Sequence, residues 1–278
     1  MLSPASRRPS ANRPASWRNR VLLAAALVAL VTAPLALAQT VVHPGDFQGW
    51  VIGPFGTAPT AGFVTGPATP PFGDGSYQTA ITVPGSKQIL ARIDYHDVPL
   101  ASLGALSYWT YIDPASMNVN NWYVNLYLDA DGNGVSDVRL DYIPPSGLVS
   151  TGVWQQWDAL AGTWDVSTGG TTTIANFLAA NPNARINAFN DPNGGAIRFN
   201  MGDTAASYVG FDGNLDGVRI AVVGGADTTW DFELAPPPSL LEVPALSPAG
   251  LAALALLLLA AGAWVMRRRS TTGASAGA

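Results

Sequence analysis

The sequence predicts an all-β protein, an antiparallel β-sandwich of jelly-roll type with one short helix. Apolar and polar residues alternate in most segments from residue 77 onward, which is the period of a strand with one buried face. Clusters of Gly, Pro, Asp and Asn separate those segments, and a single segment has helical spacing. Strands with one aliphatic face and one polar face form antiparallel sheets that enclose a shared core.

Two neighbouring segments show the alternation most clearly. In residues 122–128 the apolar face carries Trp122, Val124, Leu126 and Leu128, and in residues 138–142 it carries Val138, Leu140 and Tyr142. Similar alternation predicts further strands, eight or nine in all, over residues 77–83, 89–95, 106–112, 153–157, 197–201, 218–222 and 229–234. The stretch 53–75 is dense in Gly, Pro and Thr and predicts loops.

One segment, residues 173–180, predicts a helix. Ile174, Phe177 and Leu178 recur at helical spacing, and Asn181 with Pro182 ends the pattern. A single short helix fits a connection between strands and not the repeated crossovers that a parallel sheet requires.

The N-terminus carries a targeting pattern. Its first 38 residues combine a basic segment, an apolar segment and small residues at Ala36 and Ala38. This pattern predicts a signal peptide over 1–38, which the export machinery recognises and a signal peptidase removes, so that the domain starts at Gln39. The domain is predicted over 39–234, and a Pro-rich linker follows it over 235–242.

The C-terminal segment 243–278 predicts a membrane signal. Residues 249–266 form an uncharged stretch of 18 residues, rich in Leu and Ala, which is long enough for a transmembrane helix. The positive-inside rule keeps the basic residues that follow in the cytoplasm and the domain outside it. These membrane-stop residues are Arg267, Arg268 and Arg269.

This tail resembles the IPTL-CTERM sorting signals, which are related to the PEP-CTERM signals of Gram-negative bacteria. The shared features are a short Pro-containing motif, an apolar span and a basic stop, and the motif consists of Val243, Pro244, Ala245, Leu246 and Ser247. The resemblance implies an exosortase-like processing enzyme as a partner. It also implies an inner-membrane intermediate, followed by delivery to the cell surface or extracellular matrix. The sequence leaves both cleavage of the tail and permanent anchoring open.

The loop between the two clearest strands has the spacing of a calcium loop. Calcium takes six to eight oxygen ligands, and acidic or amide side chains at alternate positions bring such oxygens together. The predicted ligands are Asp129, Asp131, Asn133, the carbonyl of Val135, and Asp137. The position where an EF-hand has glutamate is Leu140, so the loop resembles dockerin-type calcium loops more than EF-hands. A plain hairpin turn uses the same residue types, so bound structural calcium and a simple turn are both open.

The polar faces of the same two strands form a candidate ligand site. Four arginines lie in the middle of predicted strands on polar faces: Arg92, Arg139, Arg198 and Arg219. If residues 129–137 join two strands as a hairpin, the face combines aromatic rings with groups that bind sugar hydroxyls. The candidate ligand residues are Tyr123, Asn125, Tyr127, Arg139 and Asp141. Cross-strand ion pairs on a solvated sheet are the alternative interpretation.

Composition excludes several function classes. The chain has no Cys, so thiolate chemistry lacks its residue. Its two His, His43 and His96, lack the serine context of a triad, and its two Glu, Glu233 and Glu242, make a glycosidase acid–base pair improbable. Between the terminal basic clusters, six basic residues face 19 acidic ones, and a net charge of about −13 argues against nucleic-acid binding.

The predicted function is therefore a non-enzymatic, exported structural protein of the surface or extracellular matrix. The alternative is a carbohydrate-binding module for exopolysaccharide or another glycan, because the strand pattern weakly resembles lectin-like and carbohydrate-binding-module jelly rolls. That resemblance rests on Asp-rich hairpins, Trp-rich strands and a final strand that contains Trp230 and Asp231.

Overall fold

The computed structural model describes residues 39–187, 196–203 and 205–235. The predicted signal peptide, sorting motif, transmembrane helix and arginine stop lie outside these residues, as does all of the linker except Ala235. In the described ranges, no helix combines the length and the apolar composition that crossing a membrane requires.

The described chain folds into fifteen strands and one α-helix. The strands are β1 (Gln39–Val42), β2 (Val51–Gly56), β3 (Thr60–Thr65), β4 (Gly75–Ala80), β5 (Ser86–Arg92), β6 (Leu103–Ile112), β7 (Tyr123–Asp129), β8 (Val138–Tyr142), β9 (Gln155–Asp158), β10 (Thr163–Val166), β11 (Thr171–Thr173), β12 (Arg185–Ile186), β13 (Ile197–Gly202), β14 (Asp212–Val222) and β15 (Asp227–Phe232). The helix, α1 (Ile174–Ala180), begins where the Thr173 hydroxyl accepts the Asn176 N–H at 3.2 Å.

The first sheet is built around the long strand β14. Strand β6 pairs with one edge of β14, and β15 and β4 pair end to end along the other edge. Strand β9 extends the sheet beyond β6, β3 extends it beyond β4, and β1 extends it beyond β15. Strand β14 runs antiparallel to β4, β6 and β15, and the pairs β3–β4 and β6–β9 are antiparallel as well.

The second sheet has the order β11, β10, β8, β7, β13, β5, β2, with the short β12 also paired to β7. Its register places Asn125 opposite Asp141 on one side and opposite Arg198 on the other. Arg198 in turn lies opposite Ala91. Because directly paired residues point to the same face of a sheet, one row of side chains crosses four strands of this sheet.

The two sheets pack on one hydrophobic core, which confirms the predicted antiparallel sandwich. The apolar face of 122–128 is fully buried, as the alternation predicts, and the core also takes Phe199 from β13 and Val218 and Ile220 from β14. Trp50 connects the sheets, with its ring centroid 5.8 Å from that of Phe199 and 5.5 Å from those of Trp230 and Phe232.

Three expectations at the level of elements are wrong. The stretch 53–75 contains most of β2 and all of β3, edge strands that accept Gly and even Pro54 because one side of an edge strand needs no partner. The cluster 212–216, in which Asp212, Asn214 and Asp216 predict a turn, begins β14 instead. Arg92 lies on the core side of β5, where its guanidinium is 4.7 Å from the Trp230 ring centroid and pairs with Asp94.

Candidate functional site

The outer face of the second sheet brings together all five predicted ligand residues. Strand β7 supplies Tyr123, Asn125 and Tyr127, and β8 supplies Arg139 and Asp141. The two strands pair as the predicted hairpin, with Tyr127 opposite Arg139 and Asn125 opposite Asp141. The juxtaposition follows from the period-two pattern and the short connection between these strands.

A hydrogen-bond network runs across this face. Arg139 donates from Nε and Nη2 to the two carboxylate oxygens of Asp141, at 2.7 Å each. Asn125 Nδ2 donates to Asp141 Oδ1 at 2.5 Å, and Asn200 Nδ2 donates to Asn125 Oδ1 at 2.8 Å. The network therefore links β8, β7 and β13 and fixes the orientation of the carboxylate.

Two further cations join the face from β5 and β13. The Arg198 guanidinium lies 4.5 Å from the Tyr127 ring centroid and donates from Nη1 to the Tyr127 hydroxyl at 3.3 Å. The Lys87 ammonium lies 5.4 Å from the Tyr123 ring centroid. The sequence placed Arg198 on a polar face without joining it to the ligand set. Lys87 was not predicted from the sequence. It lies four residues before Ala91 in β5, and therefore on the same face of the strand as Ala91, which pairs with Arg198.

We call Lys87, Arg139 and Arg198, with Tyr123 and Tyr127, the cationic face. Burial, together with the positive charges of Arg139 and Arg198, lowers the pKa of Lys87 to about 8. The carboxylates of Asp141 and Asp203 act on it in the opposite direction and more weakly. The surroundings of Lys87 therefore carry a net positive potential, in a domain whose net charge is strongly negative.

The tyrosines of this face are only partly open to a ligand. Burial raises the pKa of Tyr123, whose hydroxyl donates to the Gly202 carbonyl at 3.0 Å and whose ring centroid lies 5.9 Å from that of Tyr208. Lys87 and Arg198 lie against the rings of Tyr123 and Tyr127. A ligand would therefore contact the cations and the Asp141 carboxylate more readily than it would stack on the tyrosine rings.

The predicted calcium loop brings its three aspartates together. One carboxylate oxygen each of Asp129, Asp131 and Asp137 lies within 4.8 Å of the other two, a geometry that could hold a metal ion. Among the residues that the structure describes, this is the one group of three or more acidic or histidine side chains that is so close. Asn133 belongs to the same loop, and its Oδ1 accepts the Val135 N–H at 2.8 Å.

Backbone N–H groups already organise this loop. Asp129 Oδ1 accepts the N–H groups of Gly132 and Asn133 at 2.8 and 3.0 Å, and Oδ2 accepts that of Gly134 at 2.7 Å. Burial acts to raise the pKa of Asp129, but these hydrogen bonds outweigh it and hold the pKa below its usual value. The carboxylate is thus kept ionised and in place, as a turn and a metal loop both require.

A second acidic group, which sequence reasoning missed, lies in the first sheet. At the point where β15 and β4 meet along β14, the side chains of Asp216, Asp231 and Glu233 gather; we call this group the carboxyl junction. The Phe232 N–H donates to Asp216 Oδ1 at 3.0 Å, and the Asp74 N–H donates to Glu233 Oε1 at 2.8 Å. A Cβ on Gly75 would lie 2.9 Å from the Phe232 carbonyl oxygen and 2.9 Å from Glu233 Cα, so the backbone leaves room only for glycine there.

The carboxyl junction is electrostatically unusual. Asp216 is fully buried and Asp231 nearly so, and Oδ2 of the former and Oδ1 of the latter have no hydrogen-bond partner in the described structure. Burial, with the repulsion of Asp231, raises the pKa of Asp216 to about 8. Burial, with the repulsion of Glu233, raises the pKa of Asp231 to about 7. These carboxyl groups therefore bind protons in the folded chain at pH values where ordinary aspartates are ionised.

Comparison with known proteins adds a distant similarity of shape. No family model matches the chain, and no curated protein matches it. The chain is similar to a solved structure, the enzymatically active domain of tailspike protein 4 from bacteriophage CBA120, with 14% identity and a TM-score of 0.36. The match covers 63% of this chain and spans 20% of the tailspike chain.

Proposed function

We propose that this chain is an exported, non-enzymatic structural protein of the cell surface or extracellular matrix of a Gram-negative bacterium. The observation that carries the proposal is the three-part tail of motif, apolar span and arginine stop, together with the predicted signal peptide at the other end. The sandwich supports a structural role, because its polar face is cross-linked by ion pairs and hydrogen bonds. An exosortase-like enzyme would process the tail at the inner membrane.

Export and sorting can be tested in cells that produce the chain. We expect the exported protein to begin at Gln39, and deletion of 243–278 to release it into the soluble fraction, because the deletion removes the apolar span. Intact-mass analysis and membrane fractionation measure both outcomes. Deletion of 270–278 alone is the matched control and should leave sorting unchanged. A truncated chain that still sediments with membranes, or one that keeps residues 1–38, contradicts the proposal.

A second candidate function is glycan binding through the cationic face. The observation that favours it is the convergence of Lys87, Arg139 and Arg198 with two tyrosines and the Asn125 amide on one sheet face. Charged, amide and aromatic groups at this spacing suit a sugar, which offers hydroxyl groups and apolar C–H faces. The partner would be an extracellular polysaccharide.

We also propose that the loop around Asp129 binds calcium in a structural role. The proximity of three carboxylate oxygens supports it, and Asn133 with the carbonyl of Val135 would add two further oxygens. Because the ion would bind the folded loop and hardly the unfolded one, a calcium concentration of 100 times Kd should add about 2.7 kcal/mol to the free energy of unfolding.

The calcium test compares melting temperatures in excess calcium and in excess chelator. The purified chain should melt at a higher temperature with calcium, and Asp129→Ala combined with Asp131→Ala should abolish the difference. The double variant also loses backbone hydrogen bonds, so the diagnostic quantity is the calcium-dependent shift and not the melting temperature itself. Asp165→Ala, on the exposed part of β10, is the control that should keep the shift. Equal melting temperatures of the unaltered chain in both solutions would leave a plain turn.

A further inference from the structure

We propose that the cationic face binds the carboxylate groups of an acidic polysaccharide, with Lys87 and Arg139 as the direct contacts and Arg198 as a fixed positive charge beside them. This inference rests on the glycan-binding candidate function and names the class of glycan. It adds Lys87 and Arg198 to the residues that the sequence indicated for this face.

The distribution of the basic residues is the first support. Of the six between the terminal clusters, three gather on this one face. On this face Arg139 pairs with Asp141 and Arg198 has partners of its own, so only the Lys87 ammonium lacks one among the described residues. The other three basic residues pair with carboxylates elsewhere: Arg92 with Asp94, Arg185 with Asp97, and Arg219 with Asp227. In a strongly acidic domain, three neighbouring cations repel each other, and an anion that binds between them relieves that repulsion.

Lys87 is the second support. Among the described residues its ammonium forms no hydrogen bond and no ion pair, and its one recorded contact is the ring of Tyr123 at 5.4 Å. Partial burial makes an unpaired ammonium costly, and the lowered pKa of Lys87 expresses that cost. A carboxylate would supply the missing acceptor, in a place where water is partly excluded and charged hydrogen bonds are strong.

Arg139 is the third support, because it is both exposed and held in place. Its side chain is 43% exposed, while its two hydrogen bonds to Asp141 fix the guanidinium plane. A ligand therefore meets a pre-oriented cation and loses less conformational entropy on binding.

The charge balance selects the class of anion. The carboxylates of Asp141 and Asp203 offset part of the positive charge around Lys87. The ammonium of Lys87, which has no polar partner among the described residues, suits a single carboxylate on a sugar ring. It does not suit a nucleic acid, whose dense phosphates would be repelled by the net negative domain. Hydroxyl groups of the same sugar would donate to the Asp141 carboxylate, which the buried Asn125 holds in place. A polyanion without hydroxyl groups cannot make this contact.

The test is binding of oligogalacturonate, a sugar-acid probe, to the purified chain by calorimetry. We expect Lys87→Gln to weaken binding about ten- to a hundredfold, the range for loss of a hydrogen bond to a charged group. Arg219→Gln removes the same charge from the other sheet and should change the affinity less than twofold. Melting curves of both variants establish that they are folded.

Three further measurements keep the outcome decisive. Binding by the unaltered chain should weaken between pH 7 and pH 9, because Lys87 loses its charge as the pH rises through about 8. Neutral dextran should bind more weakly than oligogalacturonate, and so should polyglutamate, which has carboxylates without sugar. Equal binding of dextran, with no effect of Lys87→Gln, would overturn this inference and keep the glycan function. Binding of no glycan would overturn both. Equal binding of polyglutamate would also overturn the inference, because it would show a charge effect without sugar recognition.

Discussion

The free energy of unfolding should fall as the pH rises from about 4 to about 8, because the carboxyl junction releases protons in that range. In the unfolded chain an aspartate titrates near pH 3.9, whereas burial raises the pKa of Asp216 to about 8 and that of Asp231 to about 7. Between those values the folded chain binds more protons than the unfolded chain. The stabilisation from the protonated carboxyl groups is therefore complete below pH 4 and is lost as the pH rises to about 8. Asp216 alone should contribute a slope of about 1.4 kcal/mol per pH unit.

Carboxylates with lowered pKa values act in the opposite sense at lower pH. Backbone hydrogen bonds at Asp129, and the ion pair with Arg219 at Asp227, stabilise the fold above pH 4 and lose that effect in acid. Stability should therefore be greatest in the mildly acidic range.

Urea denaturation at a series of pH values, in chelator, measures this dependence. Asp216→Asn keeps an acceptor for the Phe232 N–H and has no charge, so it should flatten the curve and raise stability at pH 8. Asp212→Asn, at the start of the same strand, is the matched control and should leave the slope unchanged. A curve that rises steadily between pH 4 and pH 8 is incompatible with protonated carboxyl groups at this junction.

Replacement of Trp50 should lower the free energy of unfolding strongly. Its ring contacts Phe199 of the second sheet and Trp230 and Phe232 of the first, and the side chain is almost fully buried. Trp50→Ala should lower the free energy of unfolding by about 3–5 kcal/mol, from lost burial plus the cavity left between the sheets. The Arg92 guanidinium, 5.4 Å from the same ring, would lose a cation–π contact as well.

A neighbouring aromatic provides the control for Trp50. Phe47 is 41% exposed and stacks on Phe63 with a centroid distance of 6.0 Å. Phe47→Ala should therefore cost about 1 kcal/mol or less. If urea denaturation gave the same loss in free energy of unfolding for both variants, the packing of Trp50 between the sheets would not be a major source of stability.

The fold could be predicted where the core decides the pattern. Strands β7 and β8 alternate strictly because one face is buried and the other meets polar neighbours, and the helix is marked by its spacing and by Pro182. Strand β14 begins with Asp, Gly and Asn, which favour turns, and becomes a strand because β4 and β6 pair with both of its edges. Such tertiary pairing leaves no local signal.

The candidate site shows the same division. The five ligand residues on β7 and β8 could be found because a short loop joins their strands and fixes their register. Lys87 and Arg198 come from strands far away in sequence, and only the sheet order places them alongside. The carboxyl junction depends on three separate segments meeting, so no local spacing could indicate it.

The order of strands in the first sheet has a consequence for the time course of folding. Strand β1, the first described segment of the chain, pairs with β15, the last. Strand β4 pairs with β14, and a hydrogen bond from Asn214 to the Ser76 hydroxyl spans 138 residues of sequence. These strand pairs cannot form until almost the whole domain is free to fold in one compartment. Contacts of such long range make folding slow and leave strand edges exposed meanwhile. A chain that crosses a membrane from its N-terminus would complete its fold only after β15 had followed β1 to the same side.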